Sequence, residues 1–435
     1  MPGTALLLWR RAWPPVNDPV TVTLFERPPC GYGCAGCLVC RPQVALAPEG
    51  AAAFAATGLV TVTPTTTPGV FTLAATRKIG AVTIGALTVR MEPKTPISCV
   101  MWMMGYVRDP ASWSQHTALA DTDTDLVAAL AEVFVVAAER ATARGLLSGY
   151  REVEDSGPVV RGRLRAGDQI TRRFGLALPV EIHYDEYDED IAENQRLLAA
   201  TLILLDSAVV PLRLQRRLAR LRRAFADVTP PTAGAEPSPA RTRLNERYHW
   251  ALLLSELITE HRSIEHRIGN VVVRGFVLDM WKVFEDFLTT TTAAAIARRG
   301  GTGVRPGSGP TRYLDHGRSV TIEPDLTWYD NDDKPVAVID AKYKTTAAGK
   351  RGPNADMYQL TAYCTALGLR EGHLIYAKGD TASHAAEVVG ADITIYCHAL
   401  DLTTPRAELL AAIDTLVETM RARHGDEFSV VGHGS

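Results

Sequence analysis

The chain has 435 residues, of which 46% are hydrophobic and 22% are charged, and its formal net charge is -3. This length predicts two or three domains, because single hydrophobic cores rarely extend beyond about 250–300 residues. The small net charge excludes a globally basic nucleic-acid-binding protein, so any such surface must be a local patch. The longest apolar run, LLAATLILL, ends at Asp206 and is too short for a membrane span. We therefore expect a cytoplasmic protein without a membrane segment.

Residues 1–125 are predicted to form a β-rich N-terminal domain. The segments TVTLFE, VFTLAA and AVTIGALTVRMEP alternate or carry β-branched residues, and glycine and proline separate them. Near the start, CGYGCAGCLVC places four thiols close enough to wrap one metal ion, with glycines between them that permit tight turns. These thiols are Cys30, Cys34, Cys37 and Cys40. Structural Zn²⁺ is the expected ligand, and a [4Fe–4S] cluster or free thiols are the alternatives.

Residues 126–228 are predicted to form a middle section of helices and strands. A helical pattern begins at Leu126, and GYREVED and VVRGRLRA are typical of strands. The acidic segment YDEYDED is expected to be a solvated turn that leads into a helix. One or two helices are then predicted between Ile191 and Phe225, where leucines repeat at helical spacing opposite a face of arginines.

Residues 229–243 have the composition of a linker, and residues 244–435 are predicted to form a C-terminal α/β domain. Together with the β-rich start and the helical middle, this organisation predicts an α+β protein. In the C-terminal domain the glycine-rich segment RRGGTGVRPGSGP lacks the Lys-Ser/Thr of a phosphate-binding P-loop. We expect this segment to stay disordered until nucleic acid or another subunit orders it.

The segment PVAVIDAKYK carries the strongest chemical signal in the chain. Side chains alternate along a strand, so Asp340 and Lys342 point to the same face, and a hairpin with EPDLTWYD can place Asp325 beside them. Two carboxylates and an ammonium group at one point are costly without a counter-ion. Mg²⁺ is bound by one or two carboxylates and keeps waters for a substrate phosphate. The pattern predicts a metal-dependent nuclease, and an ordinary ion pair at a strand end is the alternative.

Two flanking helices favour the nuclease hypothesis. In DMYQLTAYC the candidate catalytic residues Gln359 and Tyr363 lie four residues apart, on one helical face after the Asp-Lys strand. In MWKVFEDFL, Glu285 either completes the metal shell or is a surface carboxylate at a helix edge. This order of helices and strands is that of the PD-(D/E)xK nuclease core in its RecB-like form.

Further motifs accompany this core in a fixed order. They are IGAVTIGALTVRMEPKTPI, GLLSGYREVEDSGPVVRGRL, HYDEYDEDIAENQRLL, RLNERYHWALLL and GFVLDMWKVFEDFL, followed by PDLTWYD, IDAKYK and DMYQLTAYC. With them the chain resembles the McrC family, the nuclease subunits of McrBC-type modification-dependent restriction systems, from about Val70 to His424. The cysteine cluster departs from the family pattern.

The resemblance implies roles for the site residues and a partner for the chain. Asp325 and Asp340 are assigned to a catalytic Mg²⁺ and Lys342 to the attacking water, with Glu285 and Gln359 in support. The implied partner is an McrB-like AAA+ NTPase, usually driven by GTP, which recognises modified DNA and is engaged and stimulated by the N-terminal part. The implied substrate is double-stranded DNA. A stand-alone RecB-like DNA exonuclease and a non-catalytic adaptor of an AAA+ ring remain alternatives.

Overall fold

The computed structural model describes residues 20–26, 37–38, 40–110, 126–207, 209–232, 234–261, 273–343, 354–377 and 383–423. Its strands are β1 Val20–Phe25, β2 Gln43–Ala45, β3 Val60–Pro64, β4 Val70–Ala75, β5 Lys78–Ile84, β6 Leu87–Glu92, β7 Gly149–Gly157, β8 Arg163–Leu164, β9 Val180–Asp188, β10 Val273–Asp279, β11 Thr302–Val304, β12 Arg312–Tyr313, β13 Thr321–Ile322, β14 Leu326–Tyr329, β15 Pro335–Lys342, β16 Glu371–Ala377, β17 His384–Glu387 and β18 Thr394–Leu400. Its α-helices are α1 Pro48–Thr57, α2 Ile97–Arg108, α3 Leu126–Thr142, α4 Ala166–Arg173, α5 Ala192–Asp206, α6 Leu212–Ala224, α7 His249–Glu260, α8 Met280–Ala297, α9 Asn354–Leu367 and α10 Arg406–Arg423.

This mixture of helices and strands confirms the predicted α+β class. The chain forms two compact units: residues 1–92 with 118–277, and residues 93–117 with 278–435. These units do not follow the boundaries that we placed at 125 and 243 on sequence grounds, because the chain passes between the units more than once. Within the ranges that the structure describes, no helix is both long and apolar enough to span a bilayer.

The first unit combines three small sheets with a helical core. Its sheets have the strand orders β1-β6-β5-β10, β2-β4-β3 and β7-β9-β8. The leucine stripe predicted on α6 is buried against neighbouring helices, since Leu214, Leu218 and Leu221 are almost fully covered. On the same helix, Arg217 donates a hydrogen bond from Nε to Glu139 of α3 at 3.0 Å. Part of the arginine face therefore packs within the unit by ion pairing.

The acidic segment YDEYDED is not the turn that we predicted. Residues 184–188 of this segment are the end of β9, which pairs along its whole length with β7 in antiparallel register. Cross-strand charge pairing explains the strand, because Arg151 of β7 donates a hydrogen bond to Asp188 at 2.9 Å. Tyr150 and Tyr187 face each other across the same pair, with ring centroids 5.1 Å apart. Local acidity was a weaker determinant than these cross-strand contacts.

Several large apolar side chains are exposed on the surface around this sheet, next to exposed charged residues such as Arg161 and Arg163. Helix α4 buries none of its residues, and Phe174, which follows it, is 89% exposed. The exposed large apolar side chains of this surface, which we call the β7–β9 surface, are Tyr150, Val159, Val160, Leu164, Ile170, Phe174, Leu176, Leu178 and Tyr187. Exposed apolar clusters of this kind mark interaction sites in soluble proteins.

The second unit is built on a six-stranded mixed sheet of order β11-β14-β15-β16-β18-β17. Strands β15, β16 and β18 are parallel, and the other neighbouring pairs are antiparallel. The register and the alternation of side chains decide which residues share a face. Leu374 and Tyr376 point with Asp340 and Lys342 towards α9, in the cluster that also contains Leu360.

The glycine-rich segment after α8 is ordered, contrary to our prediction. Thr302–Val304 forms β11 and pairs with β14. Close packing explains its glycines: a Cβ atom on Gly301 would lie 2.3 Å from Nε1 of Trp328, and one on Gly303 would lie 2.9 Å from the backbone of Ala293. These glycines allow the edge strand to pack tightly, where the composition alone indicated flexibility.

Helix α2 belongs to the second unit although it lies far from the rest of that unit in sequence. The Trp102 ring of α2 packs against Phe287 of α8, with centroids 4.9 Å apart. Just before this helix, the hydroxyl of Thr95 lies 3.0 Å from the hydroxyl of Tyr343, at the end of β15. A segment from the N-terminal part of the chain therefore supports the strand that carries the predicted site.

Candidate active site

The predicted hairpin forms the base of the candidate active site. Strands β14 and β15 are antiparallel and pair Leu326 with Ile339, which brings the preceding Asp325 next to Asp340. The turn between them contains Asp330, whose carboxylate accepts a backbone hydrogen bond from Lys334 at 2.9 Å. The sequence order of the two motifs was therefore sufficient to predict their juxtaposition.

Three side chains converge at the end of this hairpin. The Asp325 carboxylate accepts a hydrogen bond from the backbone N–H of Ala341 at 2.7 Å. The ammonium group of Lys342 forms an ion pair with Oδ2 of Asp340. Asp340 is only 1% exposed, so its charge is held in a site that water hardly reaches. The structure thus brings Asp325, Asp340 and Lys342 together, as predicted from the strand periodicity.

The electrostatics of the two carboxyl groups reflect their burial and their proximity. Burial and the neighbouring charge of Asp340 raise the pKa of Asp325 to about 7. Burial also raises the pKa of Asp340, although the Lys342 ammonium opposes this effect. For Lys342 burial acts to lower the pKa, but the attraction of Asp340 outweighs it and the pKa is raised. The two carboxylates therefore resist carrying full charge together unless another cation is present.

Helix α9 adds the two residues predicted from its helical spacing. Nζ of Lys342 donates to Oε1 of Gln359 at 3.3 Å, and Nε2 of Gln359 donates to the Tyr363 hydroxyl at 2.7 Å. The Tyr363 hydroxyl in turn lies 3.4 Å from the backbone oxygen of Glu323. This chain of contacts orients the ammonium group and connects α9 to the segment before Asp325.

Glu285 of α8 is half-buried beside this group. Burial, and then the charges of Asp286 and Asp340, raise the pKa of Glu285. Within the described ranges, however, no group of three or more His, Cys, Asp or Glu side chains is arranged to hold a metal ion. The charge of Asp340 thus affects the pKa of Glu285, and the role of Glu285 as a metal ligand stays a prediction.

Asp356 is a further acidic residue of the site that our sequence reasoning missed. It lies on α9, is 4% exposed, and accepts a hydrogen bond from the Tyr376 hydroxyl at 3.3 Å. Its charge contributes to raising the pKa of both Asp340 and Lys342. The available signal was its spacing, because a residue three positions before Gln359 lies on the same helical face.

The carboxylate oxygens of this site suit a divalent cation that needs few protein ligands. In the described part of the chain neither buried oxygen of Asp340 accepts a backbone hydrogen bond, and the side chains that interact with the carboxyl group directly are those of Lys342 and Asp325. A buried carboxylate with so few donors is costly. Mg²⁺ takes one or two carboxylates and otherwise binds waters and substrate phosphates, so Asp325 and Asp340 are a sufficient protein contribution.

The predicted cysteine site lies only partly within the described residues. Cys30 and Cys34 fall outside them. Cys37 and Cys40 form a turn in which the backbone N–H of Cys40 donates to the Cys37 carbonyl at 3.1 Å. Such a turn is compatible with two thiolates on one metal, and the metal itself stays a prediction.

Comparisons with known proteins identify the family and support the fold. A family model described as "McrBC 5-methylcytosine restriction system component" matches residues 73–377, which is more than half of the chain. No curated protein is similar enough in sequence to count as a match.

Among solved structures, one similar chain comes from a half-complex of a tetradecameric assembly of Thermococcus gammatolerans McrB AAA+ hexamers with bound McrC. It shares 16% identity and has a TM-score of 0.59, and the match covers 92% of this chain and 100% of that chain. A chain of the T. gammatolerans McrBC complex shares 18% identity with a TM-score of 0.39, covering 64% of this chain and 88% of that one. The first of these supports a common fold.

Proposed function

Because this chain belongs to the McrBC family of 5-methylcytosine restriction system components, we propose that it is the DNA-cleaving subunit of such a system. The observation that carries the proposal is the convergence of Asp325, Asp340 and Lys342 in a buried site. In a non-catalytic adaptor, nothing would compensate for two carboxyl groups whose charged form is destabilised by burial. The proposed reaction is Mg²⁺-dependent hydrolysis of a phosphodiester bond in double-stranded DNA.

Each residue of the site has a role that its contacts support. Asp325 and Asp340 would hold Mg²⁺, which supplies positive charge for the phosphoryl oxygens and lowers the pKa of a water molecule. Lys342 is positioned by Gln359 and Tyr363 to hold the attacking water or to stabilise developing negative charge. Glu285 adds a carboxylate at the margin of the site, and Asp356 adds to the effect of Asp340 and Asp325 in raising the pKa of Lys342.

The partner that we propose is an McrB-like AAA+ NTPase, a GTP-driven motor that recognises modified DNA. The chain has the fold of a protein that was solved bound to McrB AAA+ hexamers. For the contact we propose the β7–β9 surface, since its exposed apolar side chains otherwise face water. Through this contact, together with residues 1–125, the chain would stimulate the motor.

Plasmid cleavage with and without the partner tests the proposal. The purified chain with Mg²⁺ should cut methylated plasmid only weakly, because its net charge is -3 and DNA has little electrostatic reason to bind it. Addition of the cognate AAA+ protein and GTP should switch cleavage on. Robust cutting by the isolated chain without nucleotide would instead establish the stand-alone nuclease.

We also propose a structural Zn²⁺ on Cys30, Cys34, Cys37 and Cys40. Elemental analysis of the purified protein should then find about one zinc per chain. A double Cys34→Ser, Cys37→Ser variant should lose the metal and destabilise the first unit while the second unit keeps its melting transition. Iron with a brown colour would assign the site to a [4Fe–4S] cluster, and a metal-free protein would exclude both.

A further inference from the structure

A cavity of about 430 Å³ lies on the second unit between α10 and the strands β17 and β18. Its size is in the range of small-molecule sites. Its lining combines the ring of Tyr396, the imidazole of His398 and the guanidinium of Arg423 with the apolar side chain of Leu416. None of the described lining residues is acidic.

The cavity and the candidate active site lie on opposite faces of one sheet. Lys342 is paired with Tyr376, and Tyr376 is paired with Ala399. Neighbouring strands are about 4.8 Å apart, so two strand spacings, or about 10 Å, separate these rows of the sheet. Because side chains alternate, His398 points away from the face that carries Lys342.

The polar end of the cavity is built by a stack of rings. Arg423 lies over the Tyr396 ring, with its guanidinium carbon 3.8 Å from the ring centroid. On the neighbouring strand, the ring of His373 is nearly parallel to that of Tyr396, with an interplanar angle of 17° and centroids 5.4 Å apart. His373 is 1% exposed, so the stack is anchored in the interior. The cation is therefore held in a defined orientation.

The guanidinium of Arg423 keeps hydrogen-bonding capacity for a ligand. No carboxylate in the described part of the chain forms an ion pair with Arg423, and a guanidinium that stacks on a ring through its face still carries its N–H donors in the plane of the group. A guanidinium fork matches the geometry of a phosphate group.

His398 is a neutral group beside Arg423. Its imidazole nitrogen lies 3.2 Å from Nδ1 of His373. Burial, together with the charge of Arg423, lowers the pKa of His398 to about 4. A neutral imidazole can contact a ligand without adding charge, and Arg423 is the only lysine or arginine among the described lining residues.

We infer that this cavity binds one nucleotide unit, with its phosphate on Arg423 and its base in the apolar part near Leu416. A cavity whose described lining joins one oriented guanidinium to apolar walls and contains no acidic residue is complementary to an anion with a flat apolar body. The ligand is a single-stranded nucleotide of DNA or a free deoxynucleotide. The choice of a nucleotide rests on the proposed DNA cleavage, but the binding is a separate property.

The experiment measures binding to the full-length chain in EDTA, by fluorescence anisotropy of a fluorescein-labelled deoxyadenosine pentanucleotide and by competition with dAMP and inorganic phosphate. Arg423→Gln should weaken binding on the order of 10-fold, because a charge-assisted contact is lost. Arg421→Gln, on the same helix but outside the cavity lining, is the matched control and should bind as the natural chain does. Ala412→Phe, which fills the cavity from an exposed position, should also weaken binding.

The outcomes separate the ligand sources and the two functions. Competition by dAMP indicates a free nucleotide site, and its absence alongside pentanucleotide binding indicates a strand site. Competition by inorganic phosphate as effective as that by dAMP would refute a nucleotide site. Unchanged binding in Arg423→Gln and Ala412→Phe, or no binding at all, would overturn the inference. Lys342→Ala should retain binding here, so loss of cleavage in that variant bears on the proposed nuclease and leaves this site unaffected.

Discussion

Strand β15 in the second unit and the β7–β9 surface in the first unit depart from ordinary burial in opposite directions. In β15 the charged side chain of Asp340 is 1% exposed, beside Asp325 and Lys342. Around β7 and β9 the apolar side chain of Phe174 is 89% exposed, and Tyr150 is 79% exposed. Folding alone favours neither arrangement, because buried charges and exposed large apolar groups both cost free energy.

The difference indicates which kind of ligand or partner would stabilise each region. A buried pair of carboxylates is relieved by a cation, which is a small ligand and can enter a preformed site. An exposed apolar surface is relieved only by a large partner that covers it. The second unit thus carries the candidate active site, and the first unit carries the exposed apolar surface that we propose for association.

The largest expected effect follows from removing a charge from β15. Asp340→Ala or Lys342→Ala should reduce cleavage by the complex with the partner on the order of 10³-fold or more, because metal and water lose their positions. Motor binding and NTP hydrolysis should remain. The measurement is plasmid cleavage alongside nucleotide turnover, with Asp332→Ala in the exposed hairpin turn as the matched control. Normal cleavage by the Asp340→Ala variant would show that the buried charges of β15 do not act in DNA cleavage.

The next largest effect is expected from removing apolar side chains of the β7–β9 surface. Phe174→Ser with Leu176→Ser should weaken binding of the AAA+ partner roughly 10- to 100-fold, because the two side chains together would lose about 1.4–2.7 kcal/mol of apolar contact with the partner. The melting temperature of the chain should hardly change, because both side chains are exposed in the free protein. Binding is measured by surface plasmon resonance. Leu244→Ser, which changes a residue 90% exposed outside the β7–β9 surface, serves as the control.

If the double variant binds the AAA+ partner as tightly as the natural chain does, the motor docks elsewhere and the apolar surface has another partner. If Leu244→Ser weakens binding as much as the double variant, exposure alone and not the β7–β9 surface decides the contact.

A smaller effect on cleavage is expected from changing the residues that orient Lys342. Tyr363→Phe removes the hydroxyl that accepts from Gln359 at 2.7 Å, while the ring stays in the core. Cleavage should fall several-fold, roughly 3- to 10-fold, as expected for the loss of one hydrogen bond. Gln359→Ala should cost at least as much, because it removes the direct contact to Lys342. A Tyr363→Phe variant more impaired than Lys342→Ala would contradict a purely supporting role.

The smallest effect is on stability in EDTA. The pKa of Asp325 is raised to about 7 in the folded chain, so its contribution to stability is present at low pH and is lost as the pH rises through about 7. Asp325→Asn should therefore raise the melting temperature of the metal-free protein at pH 8 by a few degrees, and much less at pH 5. Differential scanning calorimetry at both pH values measures this. A gain that is equal at both pH values would mean that carboxylate charge is not its cause.

Much of the candidate site could be predicted from the sequence, because it depends on short-range periodicity. Alternation along β15 placed Asp340 and Lys342 on one face, and the four-residue spacing on α9 placed Gln359 with Tyr363. The order of motifs identified the family that the family model confirms over residues 73–377. The α+β class followed from the same alternation of strand and helix patterns.

Other features were decided by contacts between residues distant in sequence. Only the fold shows that Thr95 reaches Tyr343 and that Trp102 of α2 packs on Phe287, since no local pattern links these positions. The glycines at 301 and 303 indicated flexibility by composition, but neighbouring atoms at close range make them packing residues.

Sequence by itself determined which side chains meet at the candidate site, and hence the chemistry that we propose, because the spacing of Asp, Lys, Gln and Tyr within single strands and helices sets which side chains share a face. Tertiary structure alone decided how that chemistry is supported and what else is exposed. Asp356 joins the site through burial against Tyr376, and Arg423 is oriented by a ring on another element. The physical reason is that burial, pKa shifts and close packing depend on neighbours brought together by the whole chain, which local periodicity does not encode.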